Sequence, residues 1–226
     1  MGKIIVFDGM DGTGKHTQAE IFYNNIKSHT DKVYLFSFPN YNSDSSYFVR
    51  QILNNKYNDI KNPYTISLAY LLDMSITYQR EIKEKYEDDY IIILDRYFIS
   101  NVLYQLDKYD IGQDKMLFID LLCITANNLD LPTPDCTVLF DSEPEVSDRL
   151  LNNRYNGDIG KRDKNENIET QLKVHRNIEF ISNNINSTII RNLGEIHILK
   201  IHDENGNVYS IEEIANKLYN RIYYTD

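Results

Sequence analysis

The chain has 226 residues but only two cysteines, Cys123 and Cys136, and their spacing shows no pairing pattern. A disulfide framework or a cysteine-ligated metal is therefore not expected, and both thiols read as reduced and buried in a cytoplasmic protein. No apolar run approaches the roughly 20 residues of a membrane span, so no membrane contact is expected. The N-terminus enters an apolar segment directly, with no basic-then-apolar leader, and no signal peptide is expected. Basic residues are in deficit: 24 Lys and Arg against 34 Asp and Glu leave a net charge of -10. That balance argues against a partner that is a nucleic-acid polymer, although a few local cations can still hold a small anion. Apolar residues make up 42% of the chain and charged residues 26%, enough for a normal core. At this length a single domain over 1–226 is expected.

The densest information lies near the N-terminus. Lys3-Ile4-Ile5-Val6-Phe7 is an almost wholly apolar run, followed at once by Asp8-Gly9-Met10-Asp11-Gly12-Thr13-Gly14-Lys15-His16-Thr17. A buried strand, a glycine-rich turn and a helix start, in that order, are the setting of a phosphate-binding loop. Gly9-x-x-x-x-Gly14-Lys15 fits that pattern up to its last position, where Ser or Thr is usual and this chain has His16. Glycines let successive N–H groups turn inward on phosphate oxygens, the helix start adds its positive dipole end, and Lys15 supplies a mobile charge. A glycine turn that binds nothing is the competing reading, and the ordered strand, loop, lysine and helix weigh against it.

Strands and helices alternate along the chain. Further apolar runs at Val33–Phe36, Tyr90–Asp95, Cys136–Phe140 and Ile196–Ile201 read as strands. Helical periodicity covers Lys15 to Ser28, Tyr47 to Leu53, a long stretch from Pro63 to Tyr86, Lys115 to Ala126, Glu145 to Asn152, Ile168 to Asn183 and Ile211 to Tyr223. The expectation is an α/β fold: a five-stranded parallel sheet with helices on both faces. The polar, glycine-bearing segment 153–167 is expected to be a short lid. One strand ends at Asp95, followed by Arg96 and Tyr97. In an open α/β sheet ligands sit beyond the carboxyl ends of the strands, so these residues should emerge beside the loop. An acid there can hold Mg²⁺ through water, and an arginine can grip a phosphate.

Together these segments resemble the thymidylate kinases among P-loop nucleoside monophosphate kinases. The likeness is carried by the loop Phe7 to Lys15, by Phe38-Pro39, and by Asp95-Arg96-Tyr97 with Ser100, Asn101 and Tyr104 behind it. The resemblance implies ATP as phosphate donor, Mg²⁺, a deoxynucleoside monophosphate as acceptor, and a homodimer for which the helix from Pro63 is a natural surface. It implies that Gly9, Asp11, Gly12, Thr13, Gly14, Lys15, His16 and Thr17 form the donor cradle. Asp11 would bind the acceptor's 3′-hydroxyl, and Arg96 its phosphate, with Arg50 as a second phosphate ligand. Tyr70 would stack on the base, Phe38 and Pro39 would wall the pocket, Ser100 would line it, Asn101 would bond the base edge, and Tyr104 would exclude ribose. Ordinary helix packing is the competing reading for Tyr70 and Tyr104.

Transfer needs cations over the equatorial phosphate oxygens. Arg149, Arg154, Lys161 and Arg162 cluster around the lid. The family has one subtype with an arginine in the loop and another that supplies it from the lid. Gly12 suggests the second, with Arg154 and Arg162 as candidates beside Lys15, Asp95 and Arg96. Two positions depart from the pattern. A neutral imidazole at His16 is a poor ligand for Mg²⁺, so the ion is expected on nucleotide phosphates, waters and Asp95. The family's base-reading arginine falls at Met74, which cannot donate to thymine O4. The expected activity is conversion of dTMP to dTDP by in-line transfer. The alternatives are a kinase with relaxed or shifted pyrimidine preference (dUMP, dCMP or a 5-modified base) and a nucleotide-binding protein of the same fold without catalysis.

Overall fold

The computed structural model describes residues 1–223 and carries one sheet of five strands. The strands are β1 (Lys3–Gly9), β2 (Val33–Ser37), β3 (Ile91–Asp95), β4 (Cys136–Asp141) and β5 (Glu195–Lys200). Their order is β2-β3-β1-β4-β5, and every neighbouring pair is parallel. The helices are α1 (Lys15–Lys27), α2 (Tyr47–Leu53), α3 (Pro63–Thr77), α4 (Lys83–Glu87), α5 (Ile99–Gln105), α6 (Gly112–Asn128), α7 (Pro144–Arg154), α8 (Ile168–Asn183), α9 (Thr188–Arg191) and α10 (Ile211–Tyr223).

The strands form because Ile, Val, Leu and Phe dominate them, and both sheet faces are covered. Alternate side chains go to opposite faces. Ile4, Val6, Ile92, Leu94 and Leu139 join a core closed by residues such as Leu71 on α3, Val102 on α5, Ile119 on α6 and Ile178 on α8. Ile5, Phe7, Ile93, Val138 and Phe140 meet Ala19, Phe22 and Ile26 of α1 and Ile214 and Leu218 of α10. Both cysteines are free and buried, and burial pushes each thiol up to about 12. No helix among the described residues is long and apolar enough to cross a membrane.

The expected long helix from Pro63 is present but interrupted. Asn62 caps α3, its side chain accepting from Thr65 N at 2.9 Å. After Thr77 the chain widens into a π-helical turn at Tyr78–Ile82 before α4 resumes. The lid expected at 153–167 begins inside α7 and includes a short 3-10 turn at Ile159–Lys161. The order of the strands puts the reversal of winding at β1, the central strand. Register then fixes the height of the site: Phe7 pairs with Asp95, and Gly9 with Phe140, so the phosphate loop and the end of β3 emerge together.

Candidate active site

The loop after β1 is shaped by its glycines for different reasons. Gly9 has φ +119, and a Cβ there would lie 2.2 Å from Phe140 O on the adjacent parallel strand β4. Gly12 has φ +78, and a Cβ would meet Ser147 O at 2.9 Å and Leu151 Cγ at 3.0 Å on α7. Any side chain at position 12 would therefore displace α7, which explains in steric terms why the loop carries no arginine there. Gly14 has φ +82 with nothing within 4 Å, so its side is open. As N-cap of α1 it offers no side-chain cap, and the first turn holds no acid. The helix start thus presents uncapped N–H groups, which suits an anion. Lys15 is buried, with Nζ 2.6 Å from Met10 O and 3.7 Å from Asp11 Oδ1. Burial, then the nearby Arg96 charge, lowers its ammonium to about 8. Thr13 is buried and donates to Met10 O at 2.7 Å, while Thr17 is exposed on α1.

Arg96 stands at the centre. Its φ of +71 is left-handed, uncommon for a residue with a side chain. The turn carries its guanidinium back over the loop, where Nη2 bonds Asp11 Oδ1 and Nη1 lies 3.4 Å from both Asp8 Oδ1 and Tyr104 Oη. Asp11 also accepts from Tyr104 Oη at 2.7 Å and from Gln171 Nε2 at 3.0 Å. Burial alone would raise the Asp11 carboxyl; Arg96, Lys15 and these donors outweigh it and hold it at about 2. Asp8 was not anticipated from sequence. It is wholly buried and accepts from Gly9 N at 2.9 Å, Tyr97 N at 3.3 Å and Ser100 Oγ at 2.6 Å. Burial raises its carboxyl despite Arg96 and Ser100. It ties the strand end, the Asp-Arg-Tyr turn and α5 into one piece.

A cleft opens beside this cluster. Asp11, Arg96, Ser100, Asn101 and Tyr104 line it, with Pro39, Tyr41 and Tyr70 along its length and Asp163 and Asn165 from the lid. Most expected acceptor residues therefore meet in one place. Three do not. Phe38 is buried in the apolar core, with Pro39 alone of that pair facing the cleft. Met74 is 2% exposed, packed in the same core, and absent from the cleft wall. Arg50 turns Nη1 onto Tyr41 O at 3.0 Å, Ser43 O at 2.7 Å and Ser46 Oγ at 2.6 Å, so it clamps the loop after β2. Asp73 secures the same loop, accepting from Asn40 N at 2.9 Å.

The lid is docked by two residues that sequence reasoning missed. Gln171 on α8 accepts from Asp11 N at 2.7 Å and donates to Asn165 O at 3.1 Å, joining loop to lid. Buried Glu166 accepts from Tyr155 Oη at 2.7 Å, Asp163 N at 3.1 Å and Arg154 Nη1 at 3.3 Å. Arg162 is held on α7 by Asp148 Oδ1 at 2.6 Å and on the lid by Glu166 O at 3.1 Å. Arg149 donates to Gly206 O at 3.1 Å, and exposed Lys161 pairs with Asp158. Arg154, half-exposed with its Glu166 contact at 3.3 Å, is the more exposed of the two candidate arginines.

Asp95 tests the fit of Mg²⁺. Its Oδ2 faces His16 Nδ1 at 2.9 Å and Ser37 Oγ at 3.4 Å, leaving Oδ1 without a bond among the described residues. No group of three or more His, Cys, Asp or Glu among the described residues could hold a metal ion. One carboxylate beside a phosphate cradle fits Mg²⁺, which keeps most of its waters and shares the nucleotide's phosphates. His16 points at Asp95.

The thymidylate kinase family pattern matches residues 7–204. A thymidylate kinase of Sulfurihydrogenibium sp. (strain YO3AOP1) is 29% identical over 203 residues, covering 89% of this chain and 94% of that one. The probable thymidylate kinase of Sulfolobus acidocaldarius is 29% identical over 174 residues, 76% of this chain and 78% of that one. Among solved structures, thymidylate kinase from Candida albicans matches with TM-score 0.65 at 22% identity, over 98% of this chain and 91% of that chain. The Ehrlichia chaffeensis thymidylate kinase matches at 0.62 and 17%, over 98% of each chain. These two share the fold, and the sequence match runs from the phosphate loop to the turn beyond β5. The chain belongs to the thymidylate kinase family.

Proposed function

We propose that this cleft receives dTMP, with its phosphate toward Arg96, and that the chain converts dTMP and ATP to dTDP and ADP by in-line transfer. Family membership carries the reaction; the placement of Arg96 between the cleft and the phosphate loop carries the assignment of sites. Arg96 exchanges Asp11 for the acceptor phosphate, which releases an Asp11 oxygen toward the 3′-hydroxyl. Tyr104 and Gln171 keep Asp11 in place during that exchange. Lys15 leaves Met10 O for the donor's β and γ oxygens, and the N–H groups of the loop hold them. Asp95 would hold Mg²⁺ through water beside the nucleotide phosphates, and the ion would there supply charge neutralisation. Arg154 reaches across from the lid. No covalent intermediate on the chain is required, because positioning and charge do most of the work.

The same reading makes the protein cytoplasmic and homodimeric. Leu68 and Leu72 on α3 and Leu117, Leu121 and Ile124 on α6 are exposed at helical spacing, which supports a partner on that face. Lys15→Ala separates the two subsites. Turnover should fall by about 10²–10³, while dTMP binding by titration calorimetry stays near the wild-type value. Loss of dTMP binding in that variant would put the acceptor on the phosphate loop and refute the assignment.

A further inference from the structure

We infer that Gln105, oriented by Lys108, reads the 4-position of the pyrimidine. The inference rests on the cleft being the acceptor site. The residue four places after the stacking Tyr70 is Met74, buried in the core, so the donor for a 4-oxo group must come from elsewhere in the wall. Asn101 and Gln105 lie one turn apart on α5, both buried and both lining the cleft with Tyr70.

A primary amide offers an acceptor at one end and a donor at the other, and its neighbours decide which end faces a ligand. Here both neighbours are unambiguous. Asn101 Nδ2 donates to Phe98 O at 3.3 Å, a carbonyl that can only accept, so Oδ1 is the free end. Lys108 Nζ donates to Gln105 Oε1 at 2.6 Å, and an ammonium can only donate, so Nε2 is the free end. The wall therefore presents an acceptor and, one turn on, a donor. Thymine and uracil present the complement, an N3–H donor beside the O4 acceptor. Cytosine presents the reverse at both positions, an N3 acceptor beside an amino donor. Lys108 acts as a positioning residue: without it the Gln105 amide can turn over and offer its oxygen.

The test measures kcat/KM and equilibrium binding for dTMP, dUMP and dCMP on the wild type, Gln105→Glu, Lys108→Met and Lys108→Arg. The wild type should favour dTMP and dUMP over dCMP. Gln105→Glu, which has no donor, should lower the dTMP to dCMP ratio about 10- to 100-fold, the range set by leaving a buried partner unmatched. Lys108→Met should narrow the same ratio about tenfold, and Lys108→Arg should restore it. Lys108 is exposed, so its variants remain informative if Gln105→Glu fails to fold. An unmoved ratio in folded Lys108→Met would overturn the inference. A wild type that neither binds nor phosphorylates any of the three would overturn the acceptor-site reading itself.

Discussion

Replacing Arg96 tests the electrostatic core of the site through stability alone. Its guanidinium lies between two buried carboxylates, Asp8 and Asp11, with side-chain exposures of 24%, 0% and 10%. Removing one partner of a buried ion pair costs about 3–5 kcal/mol, and the partial exposure of Arg96 puts its loss near the lower end, about 3 kcal/mol. The backbone works in the other direction. A left-handed φ costs a residue with a Cβ about 1 kcal/mol or more, which glycine does not incur. Arg96→Ala should therefore destabilise by about 3 kcal/mol and Arg96→Gly by about 2 kcal/mol, both inactive. Burial holds the Asp8 carboxyl above its ordinary 3.8 even beside Arg96, and removing that cation raises it further, so the folded state of the variants binds protons more tightly than the unfolded one. Stability of the variants then rises as pH falls through the raised Asp8 value toward 3.8, so the destabilisation shrinks on acidification. Urea denaturation at several pH values measures this. A pH-independent loss, or alanine as stable as glycine, would refute the reasoning.

Three further outcomes follow from the same geometry. Lys15 stands at about 8 in the free chain, so kcat/KM for ATP should fall above that pH. In kcat the limb should move upward, because bound phosphates favour the ammonium; a kcat/KM profile without a limb near 8 contradicts the burial of Lys15. Tyr104→Ala should narrow the preference for dTMP over its ribose counterpart, and an unchanged ratio of kcat/KM values would reduce Tyr104 to packing. His16→Thr should keep or raise turnover and tighten Mg²⁺ binding to the nucleotide complex, since a hydroxyl replaces an imidazole; a large loss would make His16 a ligand.

The parts of the site that sequence revealed are those held by contiguous residues. The loop from Gly9 to Lys15 follows an apolar strand, and Asp95-Arg96 ends another, so spacing and strand topology suffice to bring them together. The strands themselves were legible because buried parallel strands are runs of Ile, Val, Leu and Phe. Asp8 was not legible as a hub, because its partners Tyr97 and Ser100 lie 89 and 92 residues away. An acid closing an apolar strand was its one visible signal. Gln171 and Glu166 read as polar helix and lid residues until the lid folds onto Asp11. Arg50 and Met74 fell at suggestive positions, yet a loop full of carbonyls engages the first and the core surrounds the second. In both cases tertiary packing decided what the local pattern left open. The π-helical turn at Tyr78–Ile82 has no marker in an otherwise helical stretch.

The central claim is transfer to a thymidine nucleotide in the cleft beside Arg96. An assay coupling ADP formation to a detectable signal, run over a panel of nucleoside monophosphates with ATP and Mg²⁺, tests it most directly. ADP formation is expected with dTMP as the best acceptor, dUMP next and dCMP well behind, each lowered about 10²–10³-fold in Lys15→Ala. Turnover that ignores the acceptor added, or that stays at the wild-type rate in Lys15→Ala, would contradict it.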